Sequence, residues 1–235
     1  MWIQNDNISA YFGDINDKLL TENNNEKQFL TLKNKIERHA HTALENIFFL
    51  KQTHSNTVFV LNEKNKLQKK LDLFSHEGDA IITNQKNIAI GVVTADCIPL
   101  FLVDYKNNVI AVIHAGWKGL KVHIISATIK KMQSEFHANP ADIKAYIGPA
   151  ADHCCYEVKS DFLNHFSENY FNEKKGRYFF NSKKAAIDEL LENKISVANM
   201  DTSHHECTIC SSHYCSVRKQ GALAGRQPAV IFLRP

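Results

Sequence analysis

The sequence predicts a single α+β or mixed α/β domain over residues 1–235. Three observations carry that expectation. Apolar runs of strand length crowd the centre of the chain, at Ile88–Val93, Ile98–Val103 and Val109–Ile113. After Gly119 the period changes, and Leu120, Ile124, Ile125, Ile129, Met132 and Phe136 fall on one helical face. Strands and helices follow in irregular order, with no internal repeat and no Gly/Ser/Pro-rich linker, which disfavours a doubly wound fold.

The elements read as follows. The first thirty residues are polar and Asn-rich, with an apolar island at Ile8–Phe12 that suits an edge strand before a loose loop. Leu32–Leu44 carries helix formers. Phe48–Leu50 and Thr57–Leu61 read as strands flanking Gln52-Thr53-His54-Ser55-Asn56. Lys64–Phe74 is charged and Leu-punctuated, as an exposed stretch would be. Ala80–Thr83 is a short strand. Ile98–Val103 and Val109–Ile113 form a hairpin around Asp104-Tyr105-Lys106-Asn107-Asn108. Pro99 cannot donate to a ladder, so it belongs at a strand start or edge. Asn139-Pro140 ends the long helix, and Tyr146-Ile147 leads into a Gly148-Pro149 turn. Asp161–Tyr170 and Lys183–Lys194 read as helices, and Gln227–Leu233 as a last strand.

Composition narrows the function classes. Hydrophobic content of 44% and charged content of 23% are ordinary for a soluble globular protein. A net charge of +3 gives no reason to expect nucleic acid or a membrane surface as partner. The start lacks a basic stretch followed by an apolar one, and no window reaches 18 apolar residues. A cytoplasmic monomer is the expectation. Its six cysteines would then be reduced thiols, suited to metal binding or catalysis rather than to disulfides.

Two of the central runs end in reactive residues. Ile88–Thr94 leads to Asp96-Cys97, and Val109–Ile113 leads to His114-Ala115-Gly116. The hairpin between them can bring a thiol and an imidazole together. Small residues after His114 let a backbone or ligand approach closely. His54 follows a third apolar run. One Cys and two His form a set that Zn²⁺ accepts, and three protein ligands leave a fourth position open, the pattern of a catalytic zinc. Each residue alone also fits packing or solvent exposure. Near the C-terminus, His204, His205, Cys207, Cys210 and Cys215 form a second group. The Cys207-x-x-Cys210 pair fits a structural zinc, a redox pair or buried thiols, with no second Cys-x-x-Cys pair to support it, since Cys154 and Cys155 are adjacent.

Thr94-Ala95-Asp96-Cys97-Ile98-Pro99 and His114-Ala115-Gly116-Trp117-Lys118-Gly119 resemble the two signature segments of the YfiH/LACC1 family. That family was long described as multicopper polyphenol oxidase or laccase-domain proteins. Gln52-Thr53-His54-Ser55 resembles its third segment. Gly78-Asp79-Ala80, Ile147-Gly148-Pro149-Ala150, Cys155-Tyr156-Glu157-Val158, Cys207-Thr208 and Gly225-Arg226-Gln227 match further stretches in order, so the resemblance spans residues 46–233. It implies an α+β sandwich like that of a toxin deamidase domain. It implies zinc held by His54, Cys97 and His114, with copper as the alternative metal. It implies phosphorolysis of adenosine, inosine, guanosine and methylthioadenosine, and deamination of adenosine. Two departures stand out. The Thr-Arg-x-Gly-Gly motif of many members is replaced by Tyr11-Phe12-Gly13-Asp14. A Ser-Tyr-Arg-Arg pattern is replaced by Ser216-Val217-Arg218-Lys219.

Those reactions assign roles. Asp96 and Glu157 are the motif carboxylates available for proton transfer, and Asp96 suits support of a ligand imidazole better. Lys118, Arg218 and Arg226 are the cations that can hold phosphate. The purine nucleoside and phosphate are the partners. Three other readings of the same residues are a metal-free Cys97 nucleophile activated by His114, copper-dependent phenol oxidation, and a non-catalytic metal-binding interaction module. Copper oxidation of the laccase type needs several ions and more histidines at set spacing than the sequence offers.

Overall fold

The computed structural model describes residues 1–5, 7–20, 26–63 and 71–235. Strands β1 (Trp2–Gln4) and β2 (Ile8–Phe12) precede helix α1 (Glu26–Ala40). Strands β3 (Asn46–Lys51), β4 (Val58–Leu61), β5 (Leu71–Glu77), β6 (Ala80–Thr83), β7 (Ile88–Thr94), β8 (Ile98–Asp104) and β9 (Val109–Ala115) follow. Helices α2 (Trp117–Lys121) and α3 (Ile124–Phe136) lead to β10 (Ile143–Ile147) and β11 (Glu157–Val158). Strands β12 (Phe171–Lys174) and β13 (Arg177–Phe180), helix α4 (Ser182–Glu192), strand β14 (Met200–Asp201), helix α5 (Val217–Gln220) and strand β15 (Gln227–Leu233) complete the order.

Two six-stranded sheets, ordered β1-β2-β15-β7-β3-β5 and β14-β10-β8-β9-β6-β4, pack face to face. A small third sheet runs β11-β13-β12. Strand periodicity sends alternate residues to opposite faces. Phe101, Val103, Ile110 and Val112 therefore meet Phe12, Phe48, Ile90 and Val92 between the sheets. Their neighbours Leu100, Leu102, Ala111 and Ile113 point the other way, onto Ile124, Ile125, Ile129 and Met132 of α3. On the far side, Ile47, Phe49, Ala89 and Phe232 meet Phe29, Leu32 and Ile36 of α1. Both faces of the central strands are covered, which is why they read as unbroken apolar runs. This layered mixed fold is the expected class.

The central hairpin forms with Pro99 opposite His114, Pro99 being the second residue of β8. Several expectations needed correction. Ile8–Phe12 is an inner strand between β1 and β15, buried throughout, and β1 takes the edge. Helix α1 starts earlier and ends earlier than Leu32–Leu44. The helix after Gly119 breaks at His123, whose φ of 60° is left-handed, so α2 and α3 are separate. Asp161–Tyr170 forms 3₁₀ turns rather than a helix. There, Phe162 and Phe166 pack on Phe180 at ring distances of 5.2 and 4.6 Å, and that packing overrides helical spacing. Of the stretch Lys64–Phe74, residues 64–70 lie outside the described residues, while Leu73 and Phe74 belong to β5 and pack toward α1. No described helix is long and apolar enough to cross a membrane.

Candidate metal centre

Register alone places the first part of the site. Strand β6 pairs with β9 so that Ala80 faces Ile113. One step further, Asp79 comes opposite His114, on the inter-sheet side shared with Ile81 and Val112. The His114 N–H donates to the Asp79 carbonyl at 2.7 Å, and Nδ1 of the His114 ring lies 2.8 Å from Asp79 Oδ1. Both residues are buried. With Nδ1 engaged by a carboxylate, Nε2 is left for a ligand, the arrangement that orients metal-binding histidines.

The same carboxylate holds the His54 loop. It accepts the backbone N–H groups of Thr53, His54 and Ser55 at 3.2, 3.0 and 2.6 Å, and the Ser55 hydroxyl at 2.8 Å. On the other flank, the Gln52 side chain bonds both backbone groups of Val93 at 2.8 Å, standing in for a strand neighbour at the end of β7. His54 itself takes a left-handed φ of 58°. Burial pushes the Asp79 carboxyl up. The His114 ring and the Ser55 N–H outweigh burial and hold it well below the usual carboxylate range.

Cys97 begins the turn into β8, after Asp96 at a φ of 85°. Its Sγ lies 4.0 Å from His54 Nε2, and the donor atoms of His54, Cys97 and His114 all lie within 4.8 Å of one another. Gly116 is required at this point. A Cβ there would stand 2.9 Å from Cys97 Sγ and 3.0 Å from His54 Cδ2, too close for any side chain. Burial raises the Cys97 thiol, but the positive charge on His114 and hydrogen bonds from both imidazoles lower it to about 6. Burial lowers His114, and the Cys97 thiolate with Asp79 raises it to about 9. One thiolate and two imidazoles converging on one point can hold a metal ion.

The three donors line a cavity of about 780 Å³, within the range of small-molecule sites. Phe74, Trp117 and Tyr156 give it aromatic walls, and Arg218 and Arg226 also line it. The Arg218 guanidinium stacks on Tyr156 at 4.7 Å and donates to the Glu157 carbonyl at 2.6 Å. Arg226 is fixed by backbone bonds in both directions to Leu19, so the N-terminal segment passes beside it. Lys118 is not among the lining residues. It is exposed, with its ammonium over the Trp117 ring at 5.7 Å. Glu157 points away and pairs with Arg177 at 3.1 Å. Asp96 lines the cavity but supports no imidazole. Its two oxygens accept the Thr208 hydroxyl at 2.7 Å and the Arg218 N–H at 2.8 Å. The carboxylate that does support a ligand imidazole is Asp79, which sequence reasoning noticed only as part of Gly78-Asp79-Ala80. Its one signal was an acidic residue directly before a buried strand.

The C-terminal group of histidines and cysteines also differs from expectation. Cys207 and Cys210 gather with Cys154 and Cys155, all four donor atoms within 4.8 Å of one another. Cys215 is buried elsewhere, its N–H donating to Gln227. His205 bridges the Gly148 carbonyl and Asp152, and His204 packs against Phe12. Sequence spacing could not pair an adjacent Cys154-Cys155 with a Cys-x-x-Cys fifty residues away.

The family model for multi-copper polyphenol oxidoreductase laccase matches residues 9–234. The chain belongs to this laccase-like, YfiH-type family. Among the similar members, a purine nucleoside phosphorylase of Aquifex aeolicus is 36% identical over 87% of this chain and 92% of its own. A purine nucleoside phosphorylase of Clostridium acetobutylicum is 34% identical over 80% and 78%. The adenosine deaminase RL5, from an unknown prokaryotic organism, is 31% identical over 78% and 73%. Among solved structures, the hypothetical protein YfiH of Bacillus licheniformis shares the fold with a TM-score of 0.83, at 23% identity over 97% of this chain and 93% of that one. YlmD of Geobacillus stearothermophilus gives 0.81 at 21% identity over 97% and 91%.

Proposed function

We propose that this laccase-like family member is a zinc-dependent purine nucleoside enzyme, acting on adenosine, inosine, guanosine and methylthioadenosine by phosphorolysis and on adenosine by deamination. One observation carries the reading: a three-donor centre in the wall of a cavity of nucleoside size, which two arginines also line. The names borne by relatives at 31–36% identity agree with it.

His54, Cys97 and His114 would hold the metal. The donor set fits borderline-soft zinc, and two histidines with one cysteine leave a coordination position for water or substrate. Zinc bound there supplies Lewis acidity and water of lowered pKa at the cavity wall. Copper oxidation of the laccase type is less well supported. Among the described residues, the only other clustered donor group is all cysteine, with no histidines for a multicopper array.

The chain's own residues do the rest. Asp79 holds the proton at His114 Nδ1, keeping Nε2 for the metal. The aromatic walls offer the purine an apolar surface. Arg218 and Arg226 each donate from one guanidinium nitrogen to backbone carbonyls, and their remaining N–H groups would be offered to phosphate. Lys118 is exposed, with its ammonium over the ring of the cavity residue Trp117. Asp96 acts by position: both oxygens are occupied in fixing Thr208 and the Arg218 backbone, so it sets where the Arg218 fork begins.

A second reading draws on the metal-free site, where a lowered thiol and a raised imidazole form a thiolate–imidazolium pair able to act as a nucleophile. One experiment separates the two. Adenosine is given to zinc-loaded and fully chelated protein, with and without phosphate. The proposal expects adenine only with phosphate, deaminated product regardless of phosphate, and neither after chelation. Full activity in chelated protein that alkylation of Cys97 then abolishes would select the nucleophile instead.

A further inference from the structure

We propose that Cys154, Cys155, Cys207 and Cys210 form a second, closed zinc site that staples two loops behind the cavity wall. The proposal does not depend on which reaction the cavity performs.

The geometry converges on one centre. Cys210 Sγ lies 2.9 Å from Cys155 Sγ and 3.3 Å from Cys154 Sγ, and all four sulfurs lie within 4.8 Å of one another. Four thiolates about a tetrahedral zinc at ~2.3 Å would sit about 3.8 Å apart, within the 4.8 Å span but wider than the two shortest pairs, which would open slightly on binding. A disulfide accounts for the cluster poorly. Cys210 lies close to both Cys155 and Cys154, at 2.9 and 3.3 Å, yet could join only one of them. A tetrahedral ion uses all four. On binding, each thiol gives its proton to solvent, and four thiolates with one dication leave a net charge of −2.

The backbone prepares both halves. Cys207–Cys210 is a tight turn closed by the Ser211 N–H donating to the Cys207 carbonyl at 3.0 Å. Cys154-Cys155 sits in a turn closed by the Cys155 N–H on the Asp152 carbonyl at 2.9 Å. The two segments touch through a bridge between Ala150 and Cys207, with the Thr208 N–H on the Ala150 carbonyl at 3.1 Å. Between β14 and α5 the chain has no helix or extended strand, and its anchors are buried side chains such as Thr208 and Cys215, so a metal cross-link would add a covalent-strength tie to loops otherwise held by side-chain contacts.

The consequence reaches the cavity. Tyr156 follows Cys155 and lines it. Thr208 follows Cys207, is buried, and donates its hydroxyl to Asp96, next to Cys97. A closed site at the four cysteines would therefore fix the wall that carries Tyr156 and the Asp96 partner.

The test is metal analysis of protein purified anaerobically without chelator, combined with cobalt substitution. Two zinc ions per chain are expected. Cys97→Ala should retain one, and a Cys155→Ser/Cys210→Ser double variant should retain the other, still bound at the cavity. Should that double variant not fold, cobalt-loaded wild-type protein still decides, because tetrathiolate cobalt has a charge-transfer spectrum distinct from a site with one sulfur. A single metal that disappears in Cys97→Ala, with all four loop cysteines freely alkylated in native protein, would overturn the proposal. So would a disulfide between the two loops in the anaerobic protein.

Discussion

Among the described residues, two groups of side chains are placed so that they could hold a metal ion, and they are built differently. The cavity centre rests on strand ends, with His114 in β9 and Cys97 opening β8, and a buried carboxylate behind them. The four-cysteine group rests on loops, exposed at Cys154 and Cys210, with no comparable carboxylate in its donor set. The first has three donors and lines a cavity, while the second has four. If both hold zinc as proposed, donor number and surroundings together would separate a centre with room for substrate from one that joins chain to chain. The difference also explains their dependence on the fold. Asp79 ties His114 to the His54 loop through a buried carboxylate, whereas the two cysteine loops are joined by the backbone bridge between Ala150 and Cys207.

The largest expected break in that contrast is Asp79→Asn. Removing a buried charge that serves one imidazole and three backbone N–H groups should cost about 3–5 kcal/mol of stability at neutral pH, read from urea melts. Zinc affinity at the cavity should fall roughly 10–100-fold, while zinc at the four cysteines stays. Asp79 is a group held low in the folded state, so its contribution is present above the ordinary carboxylate pKa and disappears as pH falls below it. The variant should therefore show a flatter acid limb. Equal loss of both metals would mean that the two groups are not independent.

Phosphate separates the two arginines from the metal. Arg226→Ala should raise the KM for phosphate about 10–100-fold, the equivalent of one or two charge-assisted hydrogen bonds. Phosphate-independent deamination should change little. A matching loss in both reactions would move Arg226 from phosphate binding to structure.

The smallest effect is a difference in thiol reactivity in metal-free protein. Cys97 should be alkylated with a midpoint near pH 6, whereas Cys155, raised to about 11 chiefly by its hydrogen bond with Cys210, should need alkaline solution. The signs are opposite within the cavity pair. Lowered Cys97 contributes stability above its ordinary value and loses it as pH falls through about 6. Raised His114 contributes below its ordinary value and loses it as pH rises through about 9. Both charges are thus present together between those limits. Mass spectrometry of alkylated peptides across that range checks it, and coincident profiles for Cys97 and Cys155 would contradict it.

The central strands and their hairpin were legible because both faces are buried, which leaves apolar runs with clear ends at Asp104 and Asn108. The three candidate ligands were legible for a related reason, since each lies just past such a run. What stayed hidden depends on contacts distant in sequence. Asp79 meets His114 only through the register of β6 with β9. Cys154 and Cys155 meet Cys210 only once β10 has placed Ala150 beside Cys207. Lys118 looked suited to phosphate from its place after Gly116-Trp117, and in the structure it is exposed on α2 with its ammonium over the Trp117 ring. The break at His123 left no mark on the apolar period, because Leu120 and Ile124 stay buried on either side of it.

The most direct test of the central claim is adenosine turnover by Cys97→Ala beside the wild-type protein, with bound metal counted in both. The wild-type protein should convert adenosine. The variant should lack the cavity metal and lose turnover at least about 100-fold, as expected when a group acting on the reaction is removed, while remaining folded with metal at its four loop cysteines. Turnover undiminished in Cys97→Ala would show that the cavity centre is not where the chemistry occurs.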